Sequence, residues 1–340
     1  MTSDRLALPD TALAAYLEQH VAGFRGPLTS SKFKGGQSNP TYLIEAASGK
    51  YVLRRKPPGQ LLASAHAVDR EFRVLEALRG SAVPVAAPLH LCRDENVIGS
   101  MFYLMQFVDG RIFWDPSLPE VAVGDRAAYF DAIIATLAAL HTVDPAAVGL
   151  GDYGKPGNYF ARQIARWSEQ YRASETQPIP AMEALIERLP ARCPADDGRV
   201  ALAHGDFRID NLMFDPATPR VIAIVDWELS TLGHPLADLG YFCMALRLPR
   251  NPALPGLGGL DRAALGIPDE ATILARYTEL TGQAMPADWP FVLAFSFFRL
   301  AAIAQGVAKR AQQGNASSEQ AMQAGQMTAL LAQLGLKVLG

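Results

Sequence analysis

Among the acidic and amide residues of 204–228, HGDFRIDNLMFDPATPRVIAIVDWE, two carboxylates and one amide fall at a spacing that could do chemistry. Asp206 is followed five residues later by Asn211 and twenty residues later by Asp226. An amide oxygen and a carboxylate are hard ligands of the kind Mg²⁺ takes, and that ion is seldom held by protein groups alone. Asp206, on the loop before, is left to orient a hydroxyl.

The elements that must position these side chains are legible nearby. Two short apolar runs, 212–214 and 221–225, are separated by Asp-Pro-Ala-Thr-Pro, which reads as strand, turn and strand. Asn211 then starts one strand and Asp226 ends the other, so both side chains can face one point. Taken singly, each of these residues is an ordinary turn or cap residue. Their joint spacing is what points to chemistry.

His204-Gly205-Asp206 with Asn211, followed by Ile224-Val225-Asp226, resembles the catalytic loop and metal-binding Asp of the aminoglycoside phosphotransferase-like kinases, distant relatives of the protein kinases. The run Gly233-His234-Pro235-Leu236-Ala237-Asp238-Leu239-Gly240 extends the match, and in detail it is similar to the branch fused to acyl-CoA dehydrogenases. The resemblance covers roughly residues 28–244. It implies an α+β, protein-kinase-like bilobal fold: a small antiparallel-sheet N-terminal lobe over 1–108 and a mainly helical C-terminal lobe over 109–340. It also implies an ATP- and Mg²⁺-dependent phosphotransferase acting on a small-molecule hydroxyl. Asp206 would orient the hydroxyl, Asn211 and Asp226 would ligate Mg²⁺, and Arg208 would offset charge on the transferring group. An ion pair of Arg208 with Asp210 or Glu228 is the competing reading. His204 and Asp238 would brace the loop.

The N-terminal lobe reads as strands over 28–34, 41–45, 51–55, 89–92 and 101–107, with a helix from Ser64 to about Arg79. Asp10 is placed to cap a helix through about His20, with Leu13, Tyr16 and Leu17 on one face. By position in the resemblance, Gly35, Gly36, Gln37, Ser38 and Asn39 form the phosphate-covering loop, where glycines let backbone N–H groups approach phosphate. Val52 and Arg54 share a strand face by the two-residue period. Kinases usually carry a Lys at the Arg54 position, and Lys56, one pleat further on, is the rival candidate. Glu71 is the expected carboxylate partner. Met105, Gln106 and Val108 match the hinge, with the Gln106 carbonyl and Val108 N–H for adenine and Met105 lining the pocket.

Helices are expected over 125–141, 158–174, 181–189, 234–247, 269–281, 288–312 and 317–335, and 249–260 reads as a mobile Pro/Gly-rich loop. The basic residues Arg162, Arg166 and Arg172 lean towards an anionic acceptor, such as a hydroxyacyl-CoA or hydroxy acid, although a solvated helix face gives the same pattern. Aminoglycoside, choline and homoserine-type kinases and a nucleotide-binding pseudokinase are the alternatives. The chain has 340 residues, 49% hydrophobic, with a net charge of −3. That balance gives no field for nucleic acid. Three distant cysteines fit a reducing cytoplasm. No basic-then-apolar leader and no uninterrupted apolar run of membrane length are expected. A P-loop is excluded by the lack of its motif, and hydrolase elbow or His-Glu-x-x-His signatures do not occur.

Overall fold

In a computed structural model of the chain, the described residues are 7–33, 39–57, 67–250, 255–312 and 318–340. Two compact units result. One comprises residues 1–111, 148–150 and 213–230, and the other 112–147, 151–212 and 231–340.

The first unit is built on β1 (Leu28–Lys32), β2 (Thr41–Ala46), β3 (Gly49–Arg55), β4 (Pro88–Cys92) and β5 (Phe102–Gln106). They form one sheet in the order β1-β2-β3-β5-β4, and every pair is antiparallel. Helix α1 (Asp10–His20) buries Leu13 and Leu17 against it, while Tyr16 bonds His90 at 3.0 Å. Asp10 does not cap this helix. Pro9 is the capping residue, and the Asp10 carboxylate accepts from the Ser30 amide and hydroxyl at 3.1 and 2.6 Å instead. A tertiary partner outcompeted the local one.

Helix α2 (Val68–Leu78) presents Val68, Phe72, Leu75 and Leu78 to the interior at helical spacing. It starts behind Ala67 with no side-chain cap; Ser64 lies outside the described residues. Two further strands, β7 (Leu212–Phe214) and β8 (Val221–Ile224), pair as the hairpin expected from Asp-Pro-Ala-Thr-Pro. The expected division at 108/109 puts this hairpin in the C-terminal lobe. By packing, residues 213–230 group with the first unit. Arg111 and Phe214 exchange backbone bonds of 2.9 and 2.8 Å, and the Ile224 amide donates to Pro84 at 2.9 Å.

The second unit is mainly helical: α3 (Arg126–Thr142), α4 (Tyr159–Ser174), α5 (Pro180–Arg192), α6 (Leu236–Met244), α7 (Glu270–Thr281), α8 (Trp289–Gln312) and α9 (Ser318–Leu339). A short antiparallel pair, β6 (Ala201–Ala203) with β9 (Thr231–Gly233), completes it. Helix α8 is the axle, packed against α4, α5, α6 and α9. Phe291, Phe295, Phe297 and Phe298 on it are fully buried.

Over Trp289–Arg310, α8 is long and apolar enough to cross a membrane by length and composition, although its apolar run is not uninterrupted. Seventy-two per cent of its most apolar window is buried within the protein, as in a core helix. Ser296, Arg299 and Gln305 interrupt the run, and all three are buried and bonded to backbone carbonyls. The loop after α6 is also tied down where it is described. The Leu257 amide donates to Ala245 and the Gly258 amide to Leu248, at 2.9 and 2.8 Å, so the expected mobility does not extend to these residues. Cys92 and Cys243 are buried, Cys193 is half-buried, and none is in a disulfide.

Candidate active site

In the second unit, β6 delivers the chain into the loop that carries Asp206. Gly205 has φ of 85°, a conformation that costs glycine nothing. Asp238 on α6 holds this loop from beneath. Its carboxylate accepts from the amides of His204 at 2.6 Å and Gly205 at 2.9 Å, and lies 3.4 Å from His141 Nε2. Burial acts to raise the Asp238 carboxyl, but His141, His204 and the Gly205 N–H outweigh it and hold it below the usual carboxylate range. His204 is fully buried, and its Nδ1 accepts from the Asp206 amide at 3.2 Å. Both residues therefore brace the loop.

Three groups surround Asp206. Asn211 Nδ2 donates to its backbone oxygen at 2.8 Å and to its carboxylate at 3.0 Å. Tyr241 stands near the same carboxylate. Burial and then the charge of Asp206 push the Tyr241 pKa up, so the phenol stays protonated. Arg208 Nε stands 3.5 Å from Asp206, while its Nη2 pairs with Asp210 at 2.8 Å. Of the competing partners expected for Arg208, Asp210 is thus engaged with it. Arg299 of α8, buried, donates to the Gly205 carbonyl and stacks its guanidinium over Trp167 and Tyr241, at 5.7 and 5.5 Å from the ring centres.

Tyr241 and Arg299 were not picked out from sequence. Tyr241 lies three residues after Asp238, one helical turn along the same face. Arg299 is a lone cation in the apolar run FSFFRLAA, where a charge is kept only if it has a partner.

In the first unit, Arg54 is the centre. Its Nε lies 2.8 Å from Glu71, and its Nη2 lies 2.6 Å from Asp226 and 3.6 Å from Glu228. Burial alone would lower the Arg54 pKa; Glu71, Tyr103, Asp226 and Glu228 reverse this and raise it. Glu71 also accepts from Asn39 Nδ2 at 2.7 Å and Tyr103 Oη at 3.1 Å. Burial pushes the Glu71 carboxyl up to about 7, against the pull of Arg54. Asp226 leaves β8 with φ of 65° and ψ of 63°, a left-handed conformation uncommon outside glycine and typical of functional turns.

Arg55, on the opposite face, is buried and donates to Ser100 Oγ at 2.8 Å. Of the phosphate-loop residues, Gly35, Gly36, Gln37 and Ser38 lie outside the described residues, and Asn39 is engaged with Glu71. Val52 sits opposite Met105 across β3 and β5. Gln106 ends β5 with its N–H bonded to Ala87, and Val108 follows outside the strand.

Most of the basic face of α4 is engaged within the protein. Arg162 donates to the carbonyls of Lys155 and Pro156, Arg166 lies over Trp167, and Arg172 pairs with Glu183. The leaning towards an anionic acceptor gains no support from Arg162 and Arg172, whose guanidinium groups are engaged within the protein. A partly open, largely apolar pocket lies beside the Asp206 loop, lined in part by Arg208, Ile209 and Asp210. Arg208 and Asp210 are its charged lining. Phe130, Phe242, Leu248 and Leu300 are among its apolar walls.

Each candidate donor, taken by itself, suits a magnesium ion shared with phosphate better than an all-protein cage. Asn211 spends its amide nitrogen on Asp206, which directs the amide oxygen elsewhere. The Asp226 carboxylate is 39% exposed although one oxygen pairs with Arg54. Among the described residues no group of three or more His, Cys, Asp or Glu could hold a metal alone. Mg²⁺ shared with phosphate needs only one or two protein oxygens.

Comparison with known proteins agrees with this geometry. Residues 29–274 match the family model described as "Phosphotransferase enzyme family". Mouse acyl-CoA dehydrogenase family member 10 is 46% identical over 331 residues, covering 97% of this chain. The chain spans 31% of that relative's length. A Ralstonia eutropha protein assigned provisionally to the aminoglycoside phosphotransferases is 50% identical, with 98% of each chain covered and a TM-score of 0.89. The spectinomycin phosphotransferase APH(9)-Ia, solved with ADP and spectinomycin, shares the fold at a TM-score of 0.64 and 12% identity, covering 96% of this chain and 98% of its own. With its antiparallel sheet, its helical second unit and its braced Asp206 loop, the chain has the protein-kinase-like α+β fold and belongs to the phosphotransferase enzyme family.

Proposed function

We propose that this chain transfers the γ-phosphoryl group of ATP, with Mg²⁺, to the hydroxyl of a small molecule, and that the acceptor is a hydroxyacyl-CoA or hydroxy acid. The observation that carries this reading is the setting of Asp206. Its carboxylate accepts from Asn211, and Arg208 beside it lines a largely apolar pocket. Arg54, supported by Glu71 and Asn39, is the group for the nucleotide phosphates. Asp226 and the Asn211 oxygen are the magnesium ligands. When bound, the ion neutralises phosphate charge.

The acceptor O–H hydrogen-bonds to Asp206, which aims the oxygen at the γ-phosphorus. A new O–P bond forms as the bond from phosphorus to the β,γ-bridging oxygen breaks. ADP leaves with that electron pair, and the hydroxyl proton passes to solvent by way of Asp206. Arg208 offsets charge on the transferring group. Phosphoryl transfer leaves the protein mainly positioning and charge stabilisation to supply.

An apolar pocket with one carboxylate and one guanidinium suits an acyl chain and disfavours polycationic aminoglycosides or choline. The likeness to an acyl-CoA dehydrogenase family member supports the same acceptor class. A pseudokinase would lack one of Asp206, Asn211 and Asp226, and all three are present.

The test is ADP release measured with hydroxyacyl-CoAs, hydroxy acids, amino alcohols and aminoglycosides, for the wild type, Asp206→Asn and Asp226→Asn. Asp206→Asn is expected to lose about 10²–10⁴-fold in turnover while calorimetry still detects Mg-ATP. Asp226→Asn, chosen because Asn tolerates the left-handed backbone, is expected to lose both. Near-normal turnover in Asp206→Asn would refute the mechanism.

A further inference from the structure

Trp114 is the most exposed large hydrophobic residue described, at 68%, and it lies at the pocket that opens beside the Asp206 loop. Its base is fixed. Phe113 is buried, with its ring edge-on to Tyr129 at 5.3 Å. Asp115 accepts from the Ser117 amide and hydroxyl at 2.8 and 2.7 Å, and its other oxygen pairs with Arg250 at 2.7 Å. Leu118, fully buried, closes the turn with φ of 52° and an amide bond to the Asp115 carbonyl at 3.0 Å.

An indole is among the largest apolar surfaces a chain can display. Here the neighbours on both sides are anchored, so the exposure is not that of a loose loop. Across the same pocket stand Phe242, Leu248 and Leu300, and its charged end carries Arg208 and Asp210. The polar end therefore adjoins the carboxylate assigned to the hydroxyl, and the apolar walls continue to Trp114.

We propose that Trp114 is a specificity-determining residue that covers the unbranched apolar chain of the acceptor, so that turnover rises with chain length. This rests on the hydroxyacyl reading given above and adds to it a preference set by one side chain. Each methylene moved from water to an apolar wall favours binding by about fourfold. An acceptor lying with its hydroxyl at Asp206 and its chain along Phe242 and Leu300 gains that factor for each carbon that Trp114 covers.

The experiment compares hydroxybutyryl-, hydroxyhexanoyl- and hydroxyoctanoyl-CoA on the wild type, Trp114→Ala, Trp114→Phe and Leu280→Ala, the last an exposed apolar residue of α7 outside the pocket. In the wild type and Leu280→Ala, kcat/KM should rise along the series by about fourfold per methylene. Trp114→Ala should flatten the rise, and Trp114→Phe should keep part of it. A second readout does not need turnover. Trp167 and Trp227 are buried and Trp289, half-buried, is not in the pocket lining, so addition of octanoyl-CoA should blue-shift the emission of the wild type and leave that of Trp114→Phe unchanged.

An unaltered slope in Trp114→Ala, or a blue shift that persists in Trp114→Phe, overturns the proposal. If no hydroxyacyl-CoA is phosphorylated yet the Trp114-dependent shift appears with octanoyl-CoA, chain binding stands and the acceptor assignment falls. If hydroxyacyl-CoAs are phosphorylated without chain-length dependence, the acceptor stands and the role of Trp114 falls.

Discussion

Arg54 and Arg55 are neighbours on β3 and point to opposite faces, with different consequences for loss. Arg54→Ala leaves Glu71 buried without its cation, and breaking a buried pair typically costs about 3–5 kcal/mol. Melting temperature should fall and KM for ATP should rise. Arg55→Ala removes a buried guanidinium bonded to Ser100, at about 1–3 kcal/mol. It should lower the melting temperature with KM for ATP near wild type. Equal rises in KM would show that Arg54 is not the phosphate group. Asp238 makes the second residue-scale case. Its carboxyl is held below the usual range in the folded state, so its ionised form stabilises the fold above the unfolded value near pH 4. That stabilisation is lost as pH falls through the lower, folded value. Asp238→Asn should therefore be less stable than wild type at neutral pH, by about 3–5 kcal/mol for a buried pair broken on one side, and the gap should narrow below about pH 4. Denaturant titrations across pH measure this; a gap that stayed constant into acid would contradict it.

Two glycines in helices separate propensity from packing at the level of elements. Replacing a mid-helix Gly by Ala gains about 0.5–1 kcal/mol from backbone entropy. At Gly306 of α8 an added Cβ would meet nothing nearer than the Arg310 guanidinium at 3.7 Å, so Gly306→Ala should be stabilising. At Gly240 of α6 the same atom would fall 2.5 Å from Val292 Cγ1 and 3.2 Å from the Val292 carbonyl. Overpacking costs about 1–3 kcal/mol, which outweighs the gain. Gly240→Ala should lower the melting temperature and, because α6 carries both Asp238 and Tyr241, also lower kcat. Opposite signs for the two substitutions are expected in one calorimetric series, and a stabilising Gly240→Ala would mean that α6 and α8 do not approach this closely.

On the scale of the whole molecule, the first compact unit is not one continuous piece of chain. Its sheet comes from the first 111 residues, but its hairpin returns from residues 213–230. Without the hairpin, α2 loses the turn at Trp227–Leu229, Pro84 and Arg111 lose backbone partners, and Arg54 loses Asp226. A fragment of residues 1–111 should show strand signal in circular dichroism, bind a hydrophobic dye and unfold without a sharp transition. Joining residues 213–230 to it through a flexible linker should restore cooperativity. A cooperative transition in the shorter fragment would show that the sheet suffices alone.

The strands and helices were largely written in the sequence. Apolar runs bounded by turn residues placed all five strands of the first sheet, with ends off by one or two residues, although Phe102, Tyr103 and Leu104 of β5 are all buried and do not alternate. The Asp-Pro-Ala-Thr-Pro turn marked the hairpin, and spacing within one stretch drew attention to Asp206, Asn211 and Asp226. These are local properties. What only the tertiary structure decided were partners that no local pattern encodes. Asp10 left its helix N-terminus for Ser30, Arg299 reached the Gly205 carbonyl from 94 residues away, and Arg54 met Asp226 across 172 residues. The basic stripe of α4 looked like a ligand surface because a sequence shows charges without the carbonyls and carboxylates that neutralise them. Trp114 escaped notice for the converse reason: a lone aromatic in a loop says nothing until its anchored neighbours leave it uncovered beside a pocket.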